Sequence, residues 1–243
     1  MFRRNGGKSP PKKIIEPVAF IVTILAITYA TIASAALNSE LQISGEAAFI
    51  AGPDYMMIGY DAWPNNYIKG PNDFLGGVFD GQNIWLVPFS SNSVIKFNIN
   101  TGIMTEYNTW PGNFNKNTEA FAGGVFDGQN IWLVPFQANK VIKIDKDTNL
   151  KTGYDNWPSD LNISSGYNFF SGVFDGQNIW MMPLFADKII KIDKDTGTKT
   201  GYDNWPSGFI KGSNAFQGGI FDGQNIWMIP RSADRIIKIV KRY

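Results

Sequence analysis

An all-β fold, made of one four-stranded unit repeated four times, is what this sequence predicts. Three observations carry the prediction. The segment Gly-Gly-Val-Phe-Asp-Gly-Gln-Asn-Ile-Trp-Leu-Val-Pro begins at Gly76 and returns at Gly123, with close variants at Ser171 and Gly218. Trp85, Trp132, Trp180 and Trp227 mark its place at spacings of 47, 48 and 47 residues. A second marker, Tyr-x-x-Trp-Pro, returns in step at Tyr60, Tyr107, Tyr154 and Tyr202. Finally, no helical period of useful length follows residue 40. Tandem four-stranded units of this length, apolar on both faces, are the pattern of β-propeller blades.

Within each unit the elements follow in order. The first strand runs through Gly-Gly-Val-Phe and stops at Asp-Gly-Gln-Asn, a tight hairpin signal. The second, Ile-Trp-Leu-Val or a variant, is apolar on both faces, as a strand covered on both sides must be. Pro88, Pro135, Pro183 and Pro230 end it. The third covers 94–97, 141–144, 189–192 and 236–239 and leads into polar turns such as Asp193-Lys194-Asp195-Thr196-Gly197. The fourth is more polar. A residue before proline favours extended geometry, so the tryptophan of Trp-Pro is expected to close that strand.

The blades thus fall at about 74–111, 121–158, 169–206 and 216–240, with a spare fourth strand at 56–63. Pairing 56–63 with the last unit would close a monomeric four-bladed ring and remove its exposed edges. The alternative is a larger ring completed by a second chain.

Ahead of the repeats the chain changes character. Residues 1–13 carry Arg3, Arg4, Lys8, Lys12 and Lys13 and no acid. Residues 18–37 carry no charge, a length that spans a bilayer as a helix of ~30 Å. The basic flank is expected to stay in the cytosol. Segment 14–37 is therefore a transmembrane anchor, or a signal peptide cleaved near Ala33-Ser34-Ala35. Residues 38–55 are a linker and 56–243 the propeller. The protein is expected at the cell surface with the propeller outside, or secreted if the signal is removed.

Composition limits the chemistry. Net charge is +1, which makes no electrostatic case for nucleic acid. The chain contains no cysteine and no histidine, so serine–histidine and cysteine–histidine triads are excluded. The repeated Asp80, Asp127, Asp175 and Asp222 read as hairpin residues, because all four copies keep them alike. The repeated tryptophans read as packing between blades. Lys96, Lys143, Lys191 and Lys238 read as a solvated or salt-bridged stripe. No metal, cofactor or catalytic residue is expected.

The unlike parts of the repeats are the better candidates. The segments after each Trp-Pro and the loops between second and third strands are expected on one face, and both vary. Variable loops on a rigid scaffold are where recognition sits. In these loops aromatics alternate with amides, a mixture suited to sugars or a protein partner. Phe74, Phe121, Phe170 and Phe216 are expected to tuck into the seams. That leaves Tyr67, Phe114, Tyr167 and Phe209 as exposed aromatics, with Asn72, Gln137 and Arg231 beside them. The function expected is a surface binding module for a carbohydrate or cell-surface polymer. The alternatives are a protein-interaction or structural surface component, and a lyase or hydrolase with a carboxylate site.

Over residues 56–240, the run Asp-Gly-x-x-Ile-Trp, a basic-apolar strand and Asp-x-x-Thr-Gly resembles kelch, NHL and virginiamycin-B-lyase-like propellers. The kelch double glycine is present at Gly76-Gly77, Gly123-Gly124 and Gly218-Gly219. Likeness to the lyase family would imply a histidine base and magnesium. With no histidine in the chain, that activity has no residue to carry it, and the resemblance implies fold alone.

Overall fold

A computed structural model describes residues 50–51, 56–163 and 166–240. Segments 1–13 and 14–37 lie outside the described residues, and so does most of 38–55. Among the described residues no helix is long and apolar enough to cross a membrane. The chain divides into two units, 1–61 and 62–243. In the first, β1 (Ile50–Ala51) pairs antiparallel with β2 (Met56–Met57).

The second unit holds four antiparallel sheets, each built in chain order. Sheet one is β3 (Phe74–Phe79), β4 (Asn83–Pro88), β5 (Val94–Asn98) and β6 (Met104–Tyr107). Sheet two is β7 (Phe121–Phe126), β8 (Asn130–Pro135), β9 (Val141–Asp145) and β10 (Lys151–Tyr154). Sheet three is β11 (Phe169–Phe174), β12 (Asn178–Pro183), β13 (Ile189–Asp193) and β14 (Lys199–Tyr202). Sheet four has only β15 (Phe216–Phe221), β16 (Asn225–Pro230) and β17 (Ile237–Val240). An all-β chain of repeated meanders, stacked face to face, fits a propeller.

The hairpin between the first two strands is fixed by one aspartate. Asp127 Oδ1 accepts the backbone N–H of Gln129 (2.8 Å) and of Asn130 (2.6 Å). Its Oδ2 accepts the Trp132 indole N–H at 2.7 Å. The same 2.7 Å bond joins Trp85 to Asp80, Trp180 to Asp175 and Trp227 to Asp222. The glycine that follows sits at φ 98° in the first two copies, 95° in the third and 93° in the fourth, a conformation that glycine adopts at little cost and other residues rarely take. The four aspartates are therefore structural.

Each seam between successive sheets is a separate hydrophobic core. One sheet presents a trailing face, and the next lays its leading face on it. The first seam joins Val78, Trp85, Val87 and Val94 to Phe121, Ile131, Leu133, Ile142 and Ile144. The second joins Val125, Trp132, Val134 and Val141 to Phe169, Ile179, Met181, Ile190 and Ile192. The third repeats the pattern with Val173, Trp180 and Met182 against Phe216, Ile226, Met228 and Ile237. First strands meet at close range: a Cβ on Gly124 would lie 2.5 Å from Val78 Cγ2, and one on Gly172 would lie 2.6 Å from Val125 Cγ2. The second glycine of the motif exists for that approach.

Several expectations are corrected here. In the first unit Met56–Met57 pair with Ile50–Ala51, and in the second β15, β16 and β17 form a sheet of three strands among the described residues. The tryptophan of Trp-Pro does not end the fourth strand, which stops at Tyr107, Tyr154 and Tyr202. Instead Trp110 and Trp157 donate their indole N–H to the carbonyls of Asn92 (2.9 Å) and Asn139 (3.1 Å). In sheet three the buried seam aromatic is Phe169, not Phe170. Phe169 pairs with Pro183 as Phe121 pairs with Pro135 and Phe216 with Pro230, so Phe170 takes the place of Ala122 and Gln217. The repeated lysines lie over aromatic rings rather than in salt bridges. Lys96 Nζ is 5.1 Å from the Trp85 ring and 5.2 Å from Tyr107. Lys143 sits likewise over Trp132 and Tyr154, and Lys191 over Trp180 and Tyr202.

Candidate functional site on the loop face

The loops opposite the hairpins are laced together by backbone hydrogen bonds. Phe89 N–H donates to Asp73 O (2.8 Å), and Ala120 N–H to Phe89 O (2.8 Å). The belt continues from Phe136 to Ala120 (2.8 Å), Asn168 to Phe136 (2.9 Å), Leu184 to Asn168, Ala215 to Leu184 and Arg231 to Ala215 (each 2.8 Å). Segments that differ in sequence are thereby held in register by main chain alone. The residue after each strand-ending proline (Phe89, Phe136, Leu184, Arg231) takes the same place in the belt.

On this belt lies a strip of aromatic rings drawn from three sheets. Phe89 and Phe136 are 5.8 Å apart, and Phe136 and Tyr167 are 4.8 Å apart. Tyr167 meets Phe185 at 6.1 Å, and Phe136 meets Phe170 edge-on at 6.1 Å. Tyr167 is 37% exposed, and the others are half-buried. Beside the strip the third repeat departs from the others. Where the other repeats carry Asp73, Ala120 or Ala215, it has Asn168; where they carry glycine, it has Ser171. Asn168 Oδ1 and Ser171 Oγ are buried with no hydrogen-bond partner among the described residues. Buried polar atoms of this kind are uncommon, because each costs about 1–3 kcal/mol.

The residues singled out from sequence are dispersed by the structure. Tyr167 and Gln137 come together: Gln137 follows Phe136, and its Cγ lies beside Gly166. The Gln137 amide donates to Glu119 Oε2 at 2.6 Å, which fixes its orientation. Phe114 is half-buried, stacked between Trp110 (4.9 Å) and Phe121 (5.8 Å). Phe209 repeats this between Trp205 (5.0 Å) and Phe216 (6.0 Å), and Tyr67 lies between Trp63 and Phe74. These three are packing positions of one repeated triad. The third repeat fills the place with Leu161, so Tyr167 is not their counterpart. Asn72 is exposed at φ 56°, and its carbonyl accepts the Ser90 N–H. Arg231 is exposed at the end of the belt.

Phe89, Phe136, Phe185, Asn168 and Ser171 were not singled out. Two signals pointed to them. The residues after the prolines change from Phe to Leu to Arg, and Asn168 and Ser171 stand where other copies have small apolar residues or, once, aspartate.

The first repeat has its own polar cluster. Tyr67 Oη lies 2.8 Å from Asp73 Oδ2 and 3.0 Å from Ser91 Oγ. Ser91 Oγ donates to the Ser93 carbonyl (2.9 Å), and Ser93 Oγ donates to Glu106. Burial, with the Asp73 carboxylate adding to it, holds the Tyr67 phenol above its usual range. The second and third repeats fill the Ser93 place with a lysine paired to aspartate, as in Lys140–Asp155 at 2.6 Å, and the fourth with Arg235, paired to Asp234. The cluster is thus a second solution to the same packing problem, with its hydroxyls and carboxylates satisfied by one another.

No protein-family model and no curated protein matches the chain. Solved structures do resemble it. The extracellular domain of a one-component system from B. thetaiotaomicron is 16% identical, with a TM-score of 0.46, over 67% of this chain and 20% of that one. A streptogramin B lyase structure is 20% identical, TM-score 0.42, over 70% and 55%. A chain of the nidogen/laminin complex is 14% identical, TM-score 0.49, over 70% and 62%. The chain spans less than two thirds of the length of each.

Proposed function

We propose that the chain is a non-catalytic binding module, displayed outside the cell, whose loop face grips a carbohydrate or cell-surface polymer. One observation carries this reading: Phe89, Phe136, Tyr167 and Phe185 form a connected, partly exposed aromatic strip built from three separate sheets. Aromatic faces beside amides and hydroxyls are the chemistry that stacks on pyranose rings and bonds their hydroxyl groups. Phe136 and Tyr167 form the platform, with Gln137 beside it. Export is supported by the basic 1–13 segment and the uncharged 18–37 run. The non-catalytic reading is supported by the lack of histidine and cysteine, and by the self-satisfied Tyr67–Glu106 cluster.

The test is a glycan array probed with the full-length chain in detergent micelles. Binding to one glycan class is expected. Phe136→Ala and Tyr167→Ala should each weaken it at least tenfold with little change in melting temperature. Absence of binding to every glycan would remove the carbohydrate reading.

A further inference from the structure

The stack of four sheets is open at both ends, and the two ends are halves of one seam. On sheet four the trailing face is uncovered: Ile220 is 56% exposed and Ile229 38%, whereas their counterparts Val125 and Val134 are buried. On sheet one the leading face is less covered than its counterparts, although Ile95 is enclosed: Phe79 is 54% exposed where Phe126, Phe174 and Phe221 are half-buried, and Ile84 and Leu86 are half-buried where Ile131 and Leu133 are fully buried. β15 and β3 are not packed together as the other successive first strands are. The residues needed for a fourth seam are nevertheless present. Ile220, Trp227 and Ile229 match the trailing sets, and Phe79, Ile84, Leu86 and Phe97 match the leading sets.

A second observation lies at the edge of β17. In the inner seams a lysine on the fourth strand reaches back over the preceding sheet. Lys151 Nζ is 4.7 Å from the Trp110 ring, and Lys199 Nζ is 4.6 Å from Trp157. In the third seam the matching rings, Tyr202 and Trp205, instead line a groove of about 740 Å³ with Pro206, Ile237, Lys238 and Ile239. A fourth strand beside β17 would fill it. Residues 57–60, Met-Ile-Gly-Tyr, align with the fourth strands Lys151–Tyr154 and Lys199–Tyr202. They would place Met57 over the two rings, a favourable sulfur–aromatic contact.

The backbone belt gives a third. It ends at the Asp73 N–H on one side and the Arg231 carbonyl on the other. The next link in register would join those two groups.

We propose that a second copy of this chain completes the structure. Its residues 57–60 add a fourth strand to β17, and its first sheet lays its leading face on Ile220, Trp227 and Ile229. Two copies joined head to tail at both ends give a closed ring of eight sheets, within the range propellers adopt. Strand addition at an open edge is an established recognition mode. Transposing the β13–β14 register puts Lys238 opposite Ile58 and Ile239 opposite Met57.

The absence of native cysteine makes the register testable by disulfide capture. Full-length Ile58→Cys and Lys238→Cys chains are mixed in detergent and oxidised. Opposed antiparallel residues lie at a Cα separation of roughly 4.5–5.5 Å, which a disulfide tolerates. A band of twice the chain mass, formed only in the mixture, is expected. The double variant I58C/K238C in the same test should also give the doubled band. Ile220→Asp should abolish the band and reduce the native mass to one chain, while the variant still melts cooperatively. A disulfide within one chain of the double variant, or no disulfide in the mixture, would overturn the proposal. So would assemblies larger than two copies.

Discussion

The second and fourth sheets carry almost the same sequence and nearly the same local structure, yet they differ in what covers them. Both hold the tryptophan to its aspartate at 2.7 Å. Both have the glycine turn with positive φ. But Trp132 is fully buried, and Trp227 is only half-buried. Val125 is buried at 8% exposure, and its counterpart Ile220 is open. The comparison separates two levels of encoding. The hairpin is specified within the repeat, by hydrogen bonds over five residues. The core is specified between repeats, because each sheet's trailing face becomes interior only when the next sheet arrives. This nearest-neighbour logic is what repeat proteins share.

The most direct way to break the comparison is to remove the tryptophan in each place. Trp132→Ala empties a fully enclosed site and should cost about 3–5 kcal/mol. Trp227→Ala should cost about 1–2 kcal/mol in the single chain, because part of that surface already faces water. Urea unfolding of each variant measures both. If a second copy covers Trp227, the gap between the variants narrows as protein concentration rises. Equal costs at all concentrations would contradict the view that burial is supplied by the neighbouring sheet.

Removing the aspartate tests the other half of the comparison. Asp127→Ala strips the hairpin of its acceptor and leaves the Trp132 indole N–H buried without a partner, an effect of about 2–3 kcal/mol. Asp222→Ala loses the same bonds, but water can replace them at the open face, so a smaller loss than for Asp127→Ala is expected. In the folded chain the Asp222 carboxyl is held well below the usual range by the N–H groups of Asn225 and Gln224 and by the Trp227 indole. Its contribution is present above the ordinary carboxylate pKa and fades as pH falls below it. Asp222→Ala and the parent should therefore converge in strong acid, where Asp222 is itself protonated.

The same distinction explains how much was legible from sequence. The four hairpins, their glycines and the two-faced second strands could be read directly, because the causes lie within a few residues. The direction of stacking and the open ends could not. Nothing in the local pattern of Ile220 marks it as exposed rather than buried. The repeat-like sequence of 56–63 likewise says where it could pair and not where it does. The aromatic strip was half legible. Tyr167 and Gln137 lie at the aromatic strip, but Tyr67, Phe114 and Phe209 share a packing triad with Trp-Pro. That triad becomes visible only when Leu161 is aligned with them and Tyr167 is set apart.

The smallest expected effect is electrostatic and belongs to closed seams alone. Burial pushes the Lys151 and Lys199 ammonium groups down to about 8, against about 10.4 for an unfolded lysine. Below pH 8 both states are protonated, and stability does not change with pH on their account. Between about 8 and 10.4 the unfolded chain binds protons that the folded chain has shed. Stability contributed by these groups therefore rises with pH across that window. Sheet four has no such lysine among the described residues, so the effect comes from the first two seams. Lys199→Met should reduce the rise and Lys151→Met/Lys199→Met should remove it, with unfolding free energy at pH 7, 8, 9 and 10 compared with the parent. The rings work in the other direction, since Trp110 and Trp157 favour the charged form through their faces. A parent that gains nothing over the double variant between pH 8 and 10 would mean that the rings hold the charge as firmly as burial expels it.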